Sequence, residues 1–162
     1  MVHLNPSKSS HKNGIIHQDV KPQNFIVTED GTVKIFDFDI SEFTFLEAED
    51  EESKTMGFFL GTPKYAAPEQ SIGFDDCNHR IDIYAVGLIL YEMIADTFPF
   101  SSEDFIESLY ERRSIMPAKP SVLNPEINVP ESLENVVMKA LATDPDDRYQ
   151  TIQEMCDAIQ NS

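Results

Sequence analysis

The apolar positions of this chain follow three different rhythms. Between Phe25 and Phe36 the runs FIVT and TVKIF, rich in β-branched and aromatic residues, flank a turn that contains Asp30-Gly31. That arrangement predicts a β-hairpin with strands at 25–28 and 32–36. From Ile81 to Ala95, Ile83, Tyr84, Val86, Leu88, Leu90, Tyr91 and Met93 cover nearly the whole circumference of a 3.6-residue helix, which predicts a central, buried helix. Residues 102–113 read as a more exposed helix, and 117–130, with Pro117, Pro120, Pro125 and Pro130, as an extended connection. Beyond Pro130 the third rhythm begins. Leu133, Val136, Val137, Ala140 and Leu141 recur at i, i+3, i+4, i+7 and i+8, the stripe of an amphipathic helix. A last helix opens with Thr151 and Glu154 in capping-box spacing and carries Ile152, Met155, Cys156 and Ile159 on one face.

Two stretches have no period. Residues 1–13 combine Pro6 with serines and asparagines and read as a flexible segment, leaving 14–162 as one domain. Residues 41–80 form a long loop, and within it Glu47, Glu49, Asp50, Glu51 and Glu52 put five acids into six positions. The whole chain is acidic, with 12 Lys and Arg against 29 Asp and Glu and a net charge of −17. Nucleic acid and anionic membrane would both repel such a surface, whereas a basic protein would not. At 162 residues and 41% apolar composition a core is attainable without disulfides. Cys77 and Cys156, 79 positions apart, suggest neither a disulfide framework nor a zinc site. The start has no apolar signal-peptide core, and the Ile81–Ala95 run, broken by Asp82 and Glu92, is too short to span a bilayer. These features together predict a cytoplasmic location.

The chemistry concentrates in His17-Gln18-Asp19-Val20-Lys21-Pro22-Gln23-Asn24, followed 13 residues after Asn24 by Asp37-Phe38-Asp39. Asp19 can orient a hydroxyl and accept its proton, Asn24 and Asp37 offer the hard oxygens that Mg²⁺ prefers, and Lys21 supplies a cation for a phosphoryl group. The pair of motifs resembles the HRDxKxxN catalytic loop and DFG metal motif of the eukaryotic-type serine/threonine protein kinases, in a bacterial style. Three later segments agree: Gly61-Thr62-Pro63-Lys64-Tyr65-Ala66-Ala67-Pro68-Glu69 resembles GTxxYxAPE, Asp82 to Gly87 resembles a DxxxxG helix start, and Arg148 matches the arginine that pairs with the APE glutamate.

The resemblance implies a mainly α fold of the α+β family, a kinase C-terminal lobe with a small hairpin and a central buried helix. It implies Asp19, Lys21 and Thr62 as catalytic, Lys21, Asn24, Ile26 and Asp37 as contacts of ATP, and Asn24 and Asp37 as Mg²⁺ ligands. It also implies that Asp82 braces the backbone of the catalytic loop, that Glu69 and Arg148 form a buried ion pair, and that His17 packs rather than reacts. Three departures qualify the match. Nothing before residue 14 resembles the glycine loop, strand lysine or helix glutamate of the N-terminal lobe, so the expected molecule is a C-lobe that needs a longer parent chain or a separate N-lobe. Gln18 stands in place of the arginine that meets a phosphorylated activation loop, and Asp39 in place of the DFG glycine. The reading is a protein serine/threonine kinase acting on a protein substrate, basic in character, and inactive as this piece alone. The rival reading is a pseudokinase-like interaction module in which the catalytic letters are relics.

Overall fold

A computed structural model describes residues 16–35, 63–71, 77–102 and 104–162. The 1–13 segment, the acidic run at 47–52, and Asp37, Phe38, Asp39 and Thr62 lie outside the described residues. Among those described, helices dominate and the sheet is a single antiparallel hairpin.

The hairpin pairs β1 (Phe25–Val27) with β2 (Val33–Ile35), with Phe25 opposite Ile35 and Val27 opposite Val33. At the turn each strand stops one residue short of the prediction because Thr28 and Thr32 belong to the turn, and Phe36, the predicted end of the second strand, lies outside the described residues. The Thr28 amide donates to the Thr32 carbonyl at 2.9 Å, and Gly31 takes a φ of +80°, which glycine adopts without steric cost. Asp30 accepts hydrogen bonds from the Thr28 hydroxyl and the Thr32 amide, and these hold its carboxyl below its ordinary pKa.

Helix α1 (Arg80–Ala95) is the axis of the molecule. One side joins Ala67, Phe100, Val137 and Leu141 through Ile81, Tyr84, Leu88, Tyr91 and Ala95, while Ile83 enters a second cluster with Val136, Ala140, Tyr149 and Met155. Serving two clusters explains why its sequence has no polar face. The crossing with α4 (Glu131–Ala140) is close: a Cβ at Gly87 would stand 2.9 Å from the Cβ of Ala140 and 3.1 Å from Leu141. At its C-terminus α1 stops on Asp96, held left-handed at φ 54°, and the Asn124 side chain donates to the orphaned Ala95 carbonyl at 3.0 Å.

Two expectations need correction. Helix α2 (Phe105–Ser114) starts three residues later than 102 because Asp104 is its cap, accepting from the Glu107 amide at 2.9 Å. It is also less exposed than its charges suggest, since Ser108, Leu109 and Arg112 are buried. The connection at 117–130 is not extended throughout. Pro120 sits at the first position of a single turn, α3 (Pro120–Leu123), where a missing N–H does no harm, and the Asn124 amide closes the turn on the Pro120 carbonyl at 2.9 Å. Helix α5 (Ile152–Gln160) is capped as predicted, Thr151 accepting from the Glu154 amide at 3.1 Å; the Glu154 carboxylate returns to the Gln150 amide, one residue further back than in the usual capping box. Among the described residues no helix is long and apolar enough to cross a membrane.

Candidate active site

The loop 17–24 is fixed from beneath by one carboxylate. Asp82, in the first turn of α1 and buried, accepts from the His17 amide at 2.9 Å through Oδ2 and from the Gln18 amide at 3.0 Å through Oδ1. A carboxylate that receives two backbone N–H groups is a strong anchor, because both bonds are charge-assisted. It holds the chain in a costly shape: Gln18 has φ 66°, the left-handed region that a non-glycine residue rarely enters. The consequence is a sharp change of direction just before Asp19. His17 is buried, and its Nδ1 accepts from the Asp19 amide at 3.4 Å, so its role here is packing and loop shape.

After the bend, Lys21 is extended and Pro22 opens a 3-10 turn over Pro22–Asn24. That turn brings Asn24 back under Asp19. The Asn24 Nδ2 donates to the Asp19 carbonyl at 2.9 Å and faces its Oδ2 at 3.4 Å, which leaves the amide oxygen of Asn24 as the atom available to a hard cation. Lys21 Nζ lies 2.5 Å from Asp19 Oδ2, both side chains about one third exposed at 33% and 29%. Asp19, Lys21 and Asn24, predicted as one constellation, are therefore neighbours. Ile26 follows on β1, half exposed at 50%, with Val27 also exposed beside it. Asp37 and Thr62 lie outside the described residues; β2 ends at Ile35 and the next described segment begins at Pro63.

The segment 63–71 is tied down at almost every residue. Glu92, from α1, accepts from Lys64 Nζ at 2.5 Å and from the Tyr65 hydroxyl at 2.7 Å. Burial raises the pKa of Tyr65, and the neighbouring Glu92 carboxylate adds to the rise. Burial opposes ionisation of Glu92 too, but the hydrogen bonds from Lys64 and Tyr65 outweigh it and its pKa is lowered. Arg112 Nη1 donates to the Ala66 carbonyl at 2.7 Å, and the Ala67 amide donates to Gln70 Oε1 at 2.7 Å. Glu69 then meets Arg148 in a bidentate pair of 2.7 and 2.8 Å. The sequence anticipates the Asp82 brace and the Glu69–Arg148 pair, and both are present. It misses the Glu92 and Arg112 ties. Glu92 is visible in the sequence as an acid inside an apolar run, a signal that a partner is needed; nothing comparable marks Arg112.

A profile of the protein kinase domain matches residues 8–159. A probable serine/threonine-protein kinase of Clostridium perfringens is 38% identical over 149 residues, covering 90% of this chain and 20% of that protein. The probable serine/threonine-protein kinase PknB of Lactococcus lactis is 36% identical over 159 residues, 98% of this chain and 24% of its own length. PknB of Mycobacterium leprae is 38% identical over 146 residues, covering 90% and 22% respectively. The chain thus spans between a fifth and a quarter of the length of these relatives.

Proposed function

This chain belongs to the protein kinase domain family, and on that premise we propose that it is the C-terminal lobe of a serine/threonine protein kinase, competent in phosphoryl transfer only when an N-terminal lobe is joined to it. The observation that carries the reading is the Asp19–Lys21–Asn24 cluster on a loop whose strained bend is locked by Asp82. Loops hold such strain where geometry matters to function.

In the proposed reaction Asp19 accepts the proton of a protein serine or threonine hydroxyl as its oxygen bonds to the γ-phosphorus of ATP; the bond from that phosphorus to the bridging oxygen breaks and ADP leaves. Lys21 stands one salt bridge from Asp19, where it can exchange that partner for the transferring phosphoryl oxygens. Thr62 is assigned to support Asp19 and Lys21 beside the substrate hydroxyl. Asn24 fits a magnesium ligand, because its nitrogen is turned to Asp19 and its oxygen remains; Asp37 is assigned as the second ligand. Bound Mg²⁺ supplies neutralisation of phosphate charge. Ile26, half exposed on β1, offers an apolar surface suited to the adenine ring. The net charge of −17 favours a basic protein acceptor over nucleic acid or anionic lipid, and a cytoplasmic site of action accords with an ATP-dependent reaction.

The test is radiolabel transfer from Mg·ATP to myelin basic protein, with calorimetric titration of Mg·ATP, by the 162-residue chain and by the same chain fused to a kinase N-terminal lobe. The expected result is no transfer and weak or undetectable binding for the chain, and Asp19-dependent transfer for the fusion, since positioning is worth about 7 to 11 kcal/mol of barrier. Transfer by the chain alone would overturn the single-lobe reading. A well-folded fusion that binds nucleotide but never transfers phosphate would favour the interaction-module reading.

A further inference from the structure

The segment 63–71 lies between two helices with unequal claims on it. Helix α1 is central to the core, whereas α2, among the described elements, packs chiefly on the turn Pro68–Ser71. Arg112 is where α2 meets the segment. It is 2% exposed, and its Nη1 donates to the Ala66 carbonyl at 2.7 Å while its Nη2 donates to Ser108 Oγ, one turn earlier on the same helix, at 3.0 Å. The guanidinium also lies over the rings of Phe98 and Phe100, 5.5 and 5.4 Å from their centroids. Phe98 is in turn covered by Lys64, whose Nζ is 4.7 Å from that ring, and packs edge-on against Tyr65 at 6.1 Å.

Arg112 is therefore held by its own helix and lies over two rings, and from there it donates to the Ala66 carbonyl. Ala66 is the link between Tyr65, tied to α1 through Glu92, and Ala67, tied to Gln70. It is buried, so its carbonyl needs a partner inside the protein. An arginine suits this task where a leucine would not, because its planar fork is pre-organised and one side can stay anchored to Ser108 while the other donates.

We propose that Arg112 is a positioning residue for the protein substrate: it fixes the path of residues 64–67 and so sets how the acceptor peptide is presented to Asp19, without touching the nucleotide or metal. The proposal rests on the kinase reading, which places Thr62 at the head of this segment beside the substrate hydroxyl, for what the segment presents, and on the geometry alone for the fixing.

Hydrogen exchange on the 162-residue chain separates the two. With Arg112→Met, the amides of Ala67 and Gln70 should exchange about tenfold faster or more, while those of Val137 and Leu141 in the core keep their protection. Arg112→Lys, which keeps a cation but cannot hold Ser108 and the Ala66 carbonyl together, should recover only part of the loss. Should Arg112→Met fail to fold, Ser108→Ala loosens the same guanidinium more gently and should accelerate the same amides. In the two-lobed fusion, Arg112→Met should raise KM for myelin basic protein about fivefold or more, with KM for ATP unchanged. Exchange that is unaltered at 67 and 70, or that rises equally in the core, overturns the fixing role, as does a lysine variant no better than methionine. Faster local exchange with equal effects on both KM values overturns the role in substrate presentation. If the wild-type fusion transfers no phosphate, the kinase reading has failed, and the exchange result still decides whether Arg112 fixes the segment.

Discussion

Arg148 and Lys21 are both cations opposite a carboxylate, in surroundings of opposite kind. The Arg148 side chain is fully buried, and each of its five N–H groups has an acceptor: Ala142 for Nε, Glu69 and Arg80 for Nη1, Glu69 and Thr143 for Nη2. Its guanidinium lies 4.8 Å from the centroid of the Tyr84 ring. The Lys21 side chain is one third exposed and, among the described residues, makes a single ion pair, with Asp19. A charge that holds a fold is satisfied on every side, because a buried donor without an acceptor is expensive. In the proposed reading Lys21 handles the substrate, and its partial exposure keeps it within reach of solvent. The Arg148 cluster joins the end of the 63–71 segment to α1 and the loop before α5, while the side-chain bonds of Asp19, Lys21 and Asn24 among the described residues stay within their own loop. The region around α1 is thus a rigid base, and the loop it carries is anchored by its backbone through Asp82 while Asp19 and Lys21 stay partly exposed.

The most severe way to break this comparison is Arg148→Met. It strands Glu69 and three carbonyls, and should lower the unfolding free energy by about 3 to 5 kcal/mol, measured by urea denaturation. Arg148→Lys should recover little, since one ammonium cannot reproduce five fixed donors. A loss near zero would place the pair in the same class as Lys21–Asp19. Next in size is Gly87→Ala. One methyl group forced against Ala140 in the rigid base should cost about 1 to 3 kcal/mol. A neutral result would mean that α1 and α4 can part without penalty.

Glu92 stands between the two extremes, a partly exposed carboxylate serving Lys64 and Tyr65, and its contribution is smaller and depends on pH. Its pKa in the folded chain lies below the ordinary value of 4.5, the opposing effect of burial being outweighed by those two donors. A carboxylate depressed by folding adds stability above its unfolded pKa and loses it as pH falls through the folded pKa. Stability relative to Glu92→Gln should therefore be constant from about pH 7 to pH 6 and shrink once the pH drops below 4.5. Thermal melts of the two proteins across that range check it. A difference that grows on acidification would contradict the sign.

Most of the rigid base was legible in the sequence. The all-round apolar run of α1, the i, i+3, i+4 stripe of α4 and the Thr151 cap are local patterns, and local patterns follow directly from helical geometry. The Asp82 and Arg148 contacts were legible for a different reason: resemblance named residues 65 and 79 positions distant from their partners, which no periodicity could have matched. What stayed hidden was tertiary. Arg112 sits in Glu111-Arg112-Arg113, which reads as a solvated face, and only the docking of α2 on residues 66–71 turns one of these charges inward. The α3 turn was masked by its prolines, since a proline that ends one element can equally begin the next. In the candidate site, Asp19, Lys21 and Asn24 were predicted as a group and lie together, whereas the parts assigned to Asp37 and Thr62 still rest on sequence.

The central claim, that the charges of the 17–24 loop serve chemistry and not the fold, is tested most directly by one substitution with two readouts. Asp19→Asn in the two-lobed fusion should leave the unfolding free energy within about 1 kcal/mol of the parent, as for other partly exposed ion pairs. The same protein should lose phosphate transfer to myelin basic protein down to background, because the amide cannot accept the hydroxyl proton. Transfer that persists at the parent rate, or a stability loss comparable to that of Arg148→Met, would contradict the account.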